Sequence, residues 1–485
     1  MSSLSSLKPE RVWYYFEEIC KIPRPSKKEE KIAAYLVDFG KNHQLETFQD
    51  EVGNVIIRKP ATVGKENMKS VVLQSHIDMV CEKNADTLHD FDKDPIQAYI
   101  DGGWVKAKGT TLGADDGIGV AAQLAILEAK DIEHGPIECL FTMDEETGLT
   151  GAFALKPGVL KSSILLNLDS EDEGQLFIGC AGGKDTSITF NYSKELIPAE
   201  MTSFLVSVTG LNGGHSGDEI NKGLGNSIKI INRLLWYSSN HFGLRIAELN
   251  GGNLRNAIPR EAFAKVVIPN EKKNDFLSYA EKFNLTVKEE LKTTDGGLLI
   301  DVKPIEMPAN LIDSATQRNL LNSLYACPHG VIAMSADMPG LVETSTNLAS
   351  VKTLDSEILV TTSQRSSVES SKEDVANMVA STFILANAKT KHGDGYPGWS
   401  PNVNSEILNV MKSKYIALFK KEPQVLAIHA GLECGVIGEK YPGMDMISFG
   451  PTLRGVHSPD ERIEIESVQL FWDLLIAVLG DIPKI

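Results

Sequence analysis

Short apolar segments alternate with a helical stretch early in the chain, and this alternation limits the possible folds more than any other feature of the sequence. Strands are predicted at 71–73, 137–143 and 164–168, with a helix at 119–130. Such alternation predicts an α/β fold, with a mixed sheet covered by helices on both faces. Ligands of open sheets bind beyond the carboxyl ends of the strands, so we expect the functional residues where these segments end.

The pattern changes after the glycine-rich GCAGG segment at 179–183. Longer strand candidates and amphipathic helices follow, which predicts a separate α+β domain. The segment HGDGYPGWSPN at 392–402 is rich in Gly and Pro, as linkers are, and helix and strand alternate again after it. We therefore predict a first domain made of residues 1–186 and 401–485, interrupted by an inserted domain at 187–400.

Charge and composition argue against two classes of partner. The formal net charge is −17, whereas nucleic acids and anionic membranes require clustered Lys and Arg. The six scattered cysteines form no CxxC pair and predict reduced thiols. The N-terminal segment lacks the pattern of a secretory signal, and no run approaches the roughly 18 apolar residues of a membrane span. We expect a cytoplasmic protein with a small-molecule partner.

His76 and Asp78 lie two residues apart in VVLQSHIDM, just beyond the first strand candidate. In extended backbone both would face the same side. The imidazole could then bind a metal ion while Asp78 accepts its second ring N–H. The alternative is a core histidine with satisfied hydrogen bonds, and an HxD pair alone does not decide between the two.

Acidic residues occupy two further segment ends. Asp115 and Asp116, in GTTLGADDGIG, precede the predicted helix, where a carboxylate either caps the helix or bridges two cations with its two oxygens. In LFTMDEETG, three consecutive acids would repel one another without a cation. One of Glu145 and Glu146 could bind metal while its neighbour acts as a general base, and a solvated acidic loop is the alternative.

Asp169, in ILLNLDSEDEG, and His457, in FGPTLRGVHSPDE, complete the candidate set. A solvated turn and an ordinary loop histidine are the alternatives, but His457 would supply a second nitrogen ligand to balance His76. Mixed His and carboxylate ligation is typical of zinc, with cobalt or manganese as substitutes, whereas an all-oxygen site suits magnesium or calcium. Two such ions about 3.5–4 Å apart polarise a carbonyl and acidify a water, so the set predicts metal-assisted hydrolysis.

The motifs HIDM, LGADDGIG, DEETG, NLDSE and GVHSPDE together resemble the co-catalytic zinc dipeptidases of the aminoacylase and carboxypeptidase superfamily. The motifs GGHSGDEI, GGNLRNAIPREA and HAGLECG extend the resemblance over essentially the whole chain. It implies two zinc ions per subunit, with His76 and Asp169 on one, Glu146 and His457 on the other, and Asp115 as the bridge. It also implies Glu145 as general base and Asp78 as orienting carboxylate. Many relatives have a lysine shortly after the bridging Asp, where this chain has Gly117.

The same resemblance implies that the inserted segment is a lid and dimerisation domain, so that the protein is a homodimer. His215 would stabilise the oxyanion of the tetrahedral intermediate, often from the partner subunit. Asn256 and Arg365 would hold the terminal carboxylate of the substrate. Gly431 and Glu433 would line the pocket.

The implied reaction is hydrolysis of dipeptides with a free N-terminus, Xaa-His among them. Glu145 would deprotonate the attacking water and pass the proton to the leaving amine, while one zinc and His215 stabilise the oxyanion. An N-acyl-amino-acid deacylase or a carboxypeptidase would use the same metal chemistry and differ only in the pocket. A peptide-binding or metal-binding protein is the non-enzymatic alternative, although metal storage would not require Glu145.

Overall fold

The computed structural model describes residues 4–485 and divides the chain into two units. The first unit comprises the described residues up to Cys180 together with Trp399–Ala427 and Leu432–Ile485. The second comprises Ala181–Gly398 and Ile428–Gly431. The chain therefore leaves the first unit after residue 180 and returns at 399, where the sequence suggests 186 and 401. The return of the short segment 428–431 to the second unit was not predicted.

An eight-stranded mixed sheet organises the first unit. The strands, in their order across the sheet, are Glu46–Gln49, Val55–Lys59, Ile137–Thr142, Val71–His76, Ile164–Asn167, Asp445–Ser448, Gln175–Cys180 and Gln424–Ile428. The third to sixth strands in this order are parallel to their neighbours within this group. They are almost entirely buried, in agreement with their continuous apolar sequences.

The carboxyl ends of these four parallel strands lie side by side. His76 is paired with Thr142, Gln74 with Asn167, and Asn167 with Ser448. Parallel strands in this register end at one edge of the sheet. The acidic residues that follow three of the strands are therefore brought to the same edge.

A smaller four-stranded sheet also belongs to the first unit. Its order is Leu453–Arg454, Arg462–Glu464, Trp104–Ala107 and Ala98–Asp101, all antiparallel. These strands are not predictable from the sequence, since segments of two to four residues are too short to show a clear period. His457 lies in the connection between the first two of them.

Helices surround the strands of the first unit. Its α-helices are Glu10–Cys20, Glu30–Asn42, Ala114–Glu128, Glu145–Gly148, Thr150–Ala154, Glu406–Phe419, Glu433–Lys440 and Ile465–Leu479. The sequence predicts the last of these at about 465–479, in agreement with the structure, and it buries Phe471, Leu475 and Val478 on one face. Among residues 4–485, no helix combines the length and apolarity needed to cross a membrane.

The second unit has an antiparallel sheet and four longer helices, the α+β composition that the sequence predicts. The strands, in order, are Leu299–Pro304, Met201–Thr209, Ala262–Pro269, Arg245–Gly251, Val342–Thr353, Glu357–Ser366, Gly182–Asn191 and Lys389–His392, with Gly330–Met334 also paired to Val342–Thr353. The helices are Ser227–Phe242, Lys273–Glu290, Ser314–Ala326 and Glu369–Leu385. Phe204, Phe276 and Phe383 are among the large side chains of its core. Each such burial stabilises the fold by roughly 1.5–3 kcal/mol.

Two local features differ from expectation. The sequence predicts an amphipathic helix near 221–238, but the helix begins only at Ser227, because Gly223 has a φ of +70° and the Asn226 side chain caps Ile228 N and Lys229 N. The expected linker at 392–402 is packed instead of free. A Cβ on Gly182 would lie 2.5 Å from Gly398 N, so only glycine permits this approach.

Candidate active site

His76 is buried at the carboxyl end of strand Val71–His76. Its Nε2 lies 3.1 Å from Asp115 Oδ1 and 3.4 Å from Asp169 Oδ1. Its Nδ1 lies 3.2 Å from Asp78 Oδ1. When the ring donates its Nδ1–H to Asp78, the free electron pair of Nε2 points at the other two carboxylates.

Asp78 connects three segments of the chain. Besides the His76 ring, it accepts hydrogen bonds from Ser26 Oγ at 2.7 Å, from Glu145 N at 3.0 Å and from Glu146 N at 3.3 Å. Its two oxygens are thus fully used by neighbouring donors. The arrangement fixes both the His76 ring and the backbone that presents the two glutamates.

Asp115 lies between the two histidines of the candidate set. Its Oδ1 is 3.1 Å from His76 Nε2, and its Oδ2 is 3.3 Å from His457 Nε2. Asp116 has the other role that the sequence left open, because its Oδ1 accepts the Gly119 N–H at 3.2 Å near the start of the helix. Of the two aspartates, only Asp115 thus has its oxygens next to both imidazoles.

The acidic run after strand Ile137–Thr142 forms a short helix, Glu145–Gly148, and not extended backbone, which would point adjacent side chains to opposite sides. Adjacent side chains then diverge by about 100° about the helix axis, which still separates them. Glu146 Oε2 lies 3.1 Å from His457 Nε2, and its buried Oε1 has no hydrogen-bond partner among the described residues. Asp144 accepts hydrogen bonds from the hydroxyls of Thr147 and Thr150, so it stabilises the turn.

Asp169 and His457 lie beside different secondary-structure elements. Asp169 follows strand Ile164–Asn167, and its N–H donates to Asn167 Oδ1 at 3.4 Å. His457 lies in a hairpin connection with a left-handed φ of +60°, and its side chain is 52% exposed, against 1% for His76.

Burial and neighbouring charge shift the pKa values of several groups of the cluster. Burial alone would lower the pKa of His76, but Asp169, Asp115 and Asp78 outweigh it and raise that pKa well above its usual value. Hydrogen bonds to Asp115 and Glu146 raise the pKa of His457 to about 11. Burial raises the pKa of Glu145 to about 8 and strongly raises that of Asp169. The cluster holds more carboxylates than cations, and it is short of positive charge.

The donor set fits two divalent cations. Among the five candidate ligands and Glu145, three groups have ligand atoms within 4.8 Å of one another: His76 with Asp115 and Asp169, Asp115 with Glu146 and His457, and His76 with Glu145 and Glu146. No Lys or Arg within residues 4–485 forms an ion pair with Asp115, Glu146 or Asp169. Two cations sharing Asp115 would supply the missing positive charge and a partner for Glu146 Oε1.

The substrate residues suggested by the sequence lie mostly in the second unit. His215 Nδ1 lies 3.1 Å from Asp218 Oδ2, and Asn256 is exposed. Arg365 is buried, with Nη1 donating to Tyr396 Oη at 3.0 Å and Nε without a described partner. A Cβ on Gly431 would lie 2.8 Å from the Tyr396 ring, so Gly431 and Arg365 flank the same tyrosine.

Glu433 belongs to the first unit and is fully buried. Its Oε2 accepts hydrogen bonds from Gln74 Nε2 at 2.6 Å and Thr142 Oγ1 at 2.8 Å, while Oε1 has no described partner. Burial raises the pKa of Glu433 to about 7. Its predicted role in substrate binding stays a prediction.

Sequence reasoning missed several supporting residues, namely Ser26, Gln74, Arg24 and Glu461. Glu461 carried a weak signal, because it follows His457 by four residues in GVHSPDE. Arg24 carried none, since its partners Ile77, Asp78 and Gly113 are more than 50 residues away in sequence.

The sequence matches Peptidase family M20/M25/M40 over residues 72–480, and the chain belongs to this family. The fold is thus that of a metallopeptidase. The superfamily predicted from the motifs is confirmed.

Two full-length relatives place the chain more narrowly. Cytosol non-specific dipeptidase of Escherichia coli (strain K12) is 45% identical over 483 residues, which cover 100% of both chains. The crystal structure of aminoacylhistidine dipeptidase from Vibrio alginolyticus matches with a TM-score of 0.96 and 46% identity, covering 100% of this chain and 99% of that one. Within the superfamily the motifs resemble peptidase D, the cytosol non-specific or aminoacyl-histidine dipeptidase, and both matches confirm that prediction. The aminopeptidase PepT from Bacillus cereus shares the fold alone, with a TM-score of 0.57 and 16% identity over 98% of both chains.

Proposed function

We propose that this protein is a dipeptidase that hydrolyses dipeptides with a free N-terminus, Xaa-His among them, with two zinc ions per subunit. The observation that carries the proposal is the position of Asp115, whose two oxygens lie 3.1 and 3.3 Å from the imidazoles of His76 and His457. Asp169 would complete one metal site and Glu146 the other. Cobalt or manganese would substitute for zinc.

When bound, the two cations would polarise the scissile carbonyl and acidify a water. Glu145 takes the proton of the attacking water on its carboxylate and transfers it to the nitrogen of the leaving amine. Burial, which raises the pKa of this carboxyl, helps Glu145 to hold the proton between the two transfers. Asp78 keeps the His76 ring in the tautomer that presents Nε2 to the metal side.

Residues of the second unit would bind the substrate. We assign His215 to the oxyanion, Asn256 and Arg365 to the terminal carboxylate, and Gly431 to the wall beside Tyr396, with Glu433 of the first unit also close to the substrate. The buried guanidinium of Arg365 supports its role, because its Nε has no described partner and a carboxylate accepts two parallel N–H bonds. Arg365→Ala should impair free dipeptides far more than their C-terminal amides, and equal loss on both would contradict the assignment.

The decisive experiment is a dipeptide panel, including Xaa-His, assayed on purified protein with zinc content measured in the same sample. Each dipeptide is paired with its N-acetylated form. Hydrolysis confined to the free dipeptides supports the proposal. Faster cleavage of the N-acetylated partner would establish a deacylase, and zinc binding without turnover of any substrate would establish a binding protein.

We further propose a cytoplasmic homodimer formed through the second unit. Strand Gly330–Met334 has only one partner strand among the described residues, and Val331, Ile332 and Met334 are 36%, 40% and 48% exposed. An unpaired apolar edge of this kind favours pairing with a second chain. Ile332→Lys should therefore give a monomer in analytical ultracentrifugation, whereas Val63→Lys, a change at an exposed site of the first unit, should not.

A further inference from the structure

The backbone N–H groups of the turn that carries Asp115 donate hydrogen bonds to one buried carboxylate, that of Glu461. Glu461 Oε2 accepts the N–H groups of Leu112 at 2.6 Å and Gly113 at 2.9 Å. Its Oε1 accepts those of Ala114 at 2.8 Å and Asp115 at 3.4 Å. Four successive backbone donors thus converge on one side chain that is 2% exposed. Gly113 permits this geometry because its φ is +69°.

The carbonyl side of the same turn is held by a buried cation. Arg24 Nη2 donates to Gly113 O at 2.5 Å, and Arg24 Nη1 donates to Asp78 O at 2.8 Å and Ile77 O at 3.2 Å. Arg24 is 2% exposed and forms no ion pair with a carboxylate among the described residues. It therefore ties the turn that carries Asp115 to the segment that carries Asp78.

Arg24 also explains the unusual glycine after the bridging aspartate. A Cβ on Gly117 would lie 2.6 Å from Arg24 Nη2, and a Cβ on Gly113 would lie 2.5 Å from the same atom. The guanidinium fills the space that a side chain at residue 117 would need. The positive charge near the turn is thus supplied by Arg24, which precedes Gly113 by 89 residues.

We propose that Glu461 and Arg24 are positioning residues, which together fix the bridging carboxylate of Asp115 between His76 and His457. The inference rests on the proposed function in so far as Asp115 is taken to bind metal. Glu461 shares the hairpin of His457, between strands Leu453–Arg454 and Arg462–Glu464, so its four bonds tie one ligand segment to another. Arg24 makes the corresponding connection to the segment after His76.

Rigid support of this kind matters for a shared ligand. A bridging carboxylate must reach two ions at once, and a small displacement of its backbone loses one of them. Residues that orient metal ligands typically change metal affinity or activity by 10-fold to 100-fold when mutated. Neither Glu461 nor Arg24 needs to touch metal or substrate to have that effect.

The test compares Glu461→Gln with Glu138→Gln. Glu138 is the matched control because it is also a buried carboxylate of the first unit, and its Oε2 accepts Lys161 N at 2.7 Å and Ser162 N at 2.9 Å. It lies at the amino end of strand Ile137–Thr142, away from the cluster. Both substitutions replace a charged acceptor by an amide and leave the volume almost unchanged.

Two readouts are measured besides activity. Hydrogen exchange of a peptide spanning 109–119 is followed by mass spectrometry in the metal-free protein, and zinc affinity is measured against a competing chelator. We expect Glu461→Gln to accelerate exchange in this peptide about 10-fold or more. We expect it to weaken zinc binding about 10-fold to 100-fold, with kcat falling more than KM changes. Glu138→Gln should leave zinc affinity and kcat unchanged.

Arg24→Lys tests the same turn by weakening the hydrogen bond to the carbonyl group of Gly113. The test therefore does not depend on whether Glu461→Gln folds. The substitution keeps the charge but loses the fork that reaches three carbonyls, and it should weaken zinc binding in the same direction. In a double-mutant cycle, the two substitutions should not be additive, because both act on one turn.

Unchanged zinc affinity in Glu461→Gln and Arg24→Lys would overturn the proposal, even if exchange accelerates. Equal effects of Glu461→Gln and Glu138→Gln on all readouts would also overturn it, since both would then be ordinary structural acids. The exchange and zinc measurements need no substrate. Failure of the wild-type protein to cleave dipeptides would therefore contradict the proposed function without deciding the positioning role.

Discussion

The two histidines of the cluster are held in very different ways. The sheet side, formed by His76, Asp78 and Asp169, lies at the ends of parallel strands, and the His76 side chain is 1% exposed. The hairpin side, formed by His457 and Glu461, lies on a connection between two very short strands, and the His457 side chain is 52% exposed.

This difference shows how one site can combine a rigid set of side chains with a set that is open to solvent. The sheet side is fixed by the register of a buried sheet, so its donors keep their places through main-chain pairing. The hairpin side depends on a few side-chain bonds, chiefly those of Glu461 to the turn before Asp115. We expect the sheet side to set stability and the hairpin side to respond more easily to metal and solvent.

The largest effect on turnover should come from the proposed general base. Glu145→Gln removes the base but no ligand of the proposed set. We expect kcat to fall about 10²- to 10⁴-fold, because general acid–base catalysis contributes that much. Zinc content, measured on the same sample, should stay at the wild-type value. Near-normal turnover would contradict the role of Glu145.

Removing each histidine tests the comparison directly. In the metal-free protein, His76→Ala leaves Asp78 buried without its ring partner and should cost about 3–5 kcal/mol, as for other broken buried pairs. His457→Ala removes a half-exposed side chain and should cost less than about 1 kcal/mol. Chemical denaturation of both variants measures the difference. Equal losses would show that the two sides are not supported differently.

The pH dependence of stability in the metal-free protein also tests the contrast between the sheet side and the hairpin side. Burial raises the pKa of Glu145 and of Asp116 to about 8, far above the values near 4 of an unfolded chain. The native state therefore binds more protons between about pH 4 and 8, and stability is lost as the pH rises through this window. The raised pKa of His76 acts in the same direction above about pH 6.5.

We accordingly expect the thermal transition of the metal-free protein to fall by several degrees between pH 5 and pH 8. His457→Ala should retain this fall, since Glu145 and Asp116 do not depend on the hairpin. Saturating zinc should reduce it, because cations replace the bound protons. A transition that rises over this range would contradict the assignment of these carboxyl groups.

A smaller effect is expected for the residue that orients His76. Asp78→Asn keeps the shape but removes the charge that favours the Nδ1–H tautomer. Zinc affinity should fall about 10-fold to 100-fold. Competition with a chelator measures it, and Asp172→Asn, at an acid that pairs with Arg454 at the surface, serves as control.

Within the sheet side, the smallest effect should follow from loss of its outermost contact. Ser26→Ala removes the hydroxyl that donates to Asp78 Oδ2 at 2.7 Å, while three other donors to Asp78 remain. A change of about 1–2 kcal/mol in unfolding free energy is expected. A loss as large as that of His76→Ala would mean that Ser26, not the sheet, fixes the orientation of Asp78.

The sequence by itself determined the mixed α/β fold with an inserted α+β unit. It also indicated the residues of the cluster, because His76, Glu146 and Asp169 follow apolar strand segments whose ends must meet in a parallel sheet. The bounds of the last helix, Ile465–Leu479, also follow from its apolar sequence. These features are local, or follow from local patterns through the general geometry of sheets.

Only the tertiary structure shows that Asp115 faces both imidazoles while Asp116 accepts a backbone N–H, since the two residues are adjacent in the sequence. It also revealed the short hairpin that carries His457 and the hydrogen bonds by which Arg24 and Glu461 both hold the turn before Asp115. Such contacts join residues separated by 89 and 349 positions. The periodicity of the sequence does not predict these contacts, because they form only when distant segments pack against each other. A charge buried by that packing then has few other hydrogen-bond partners.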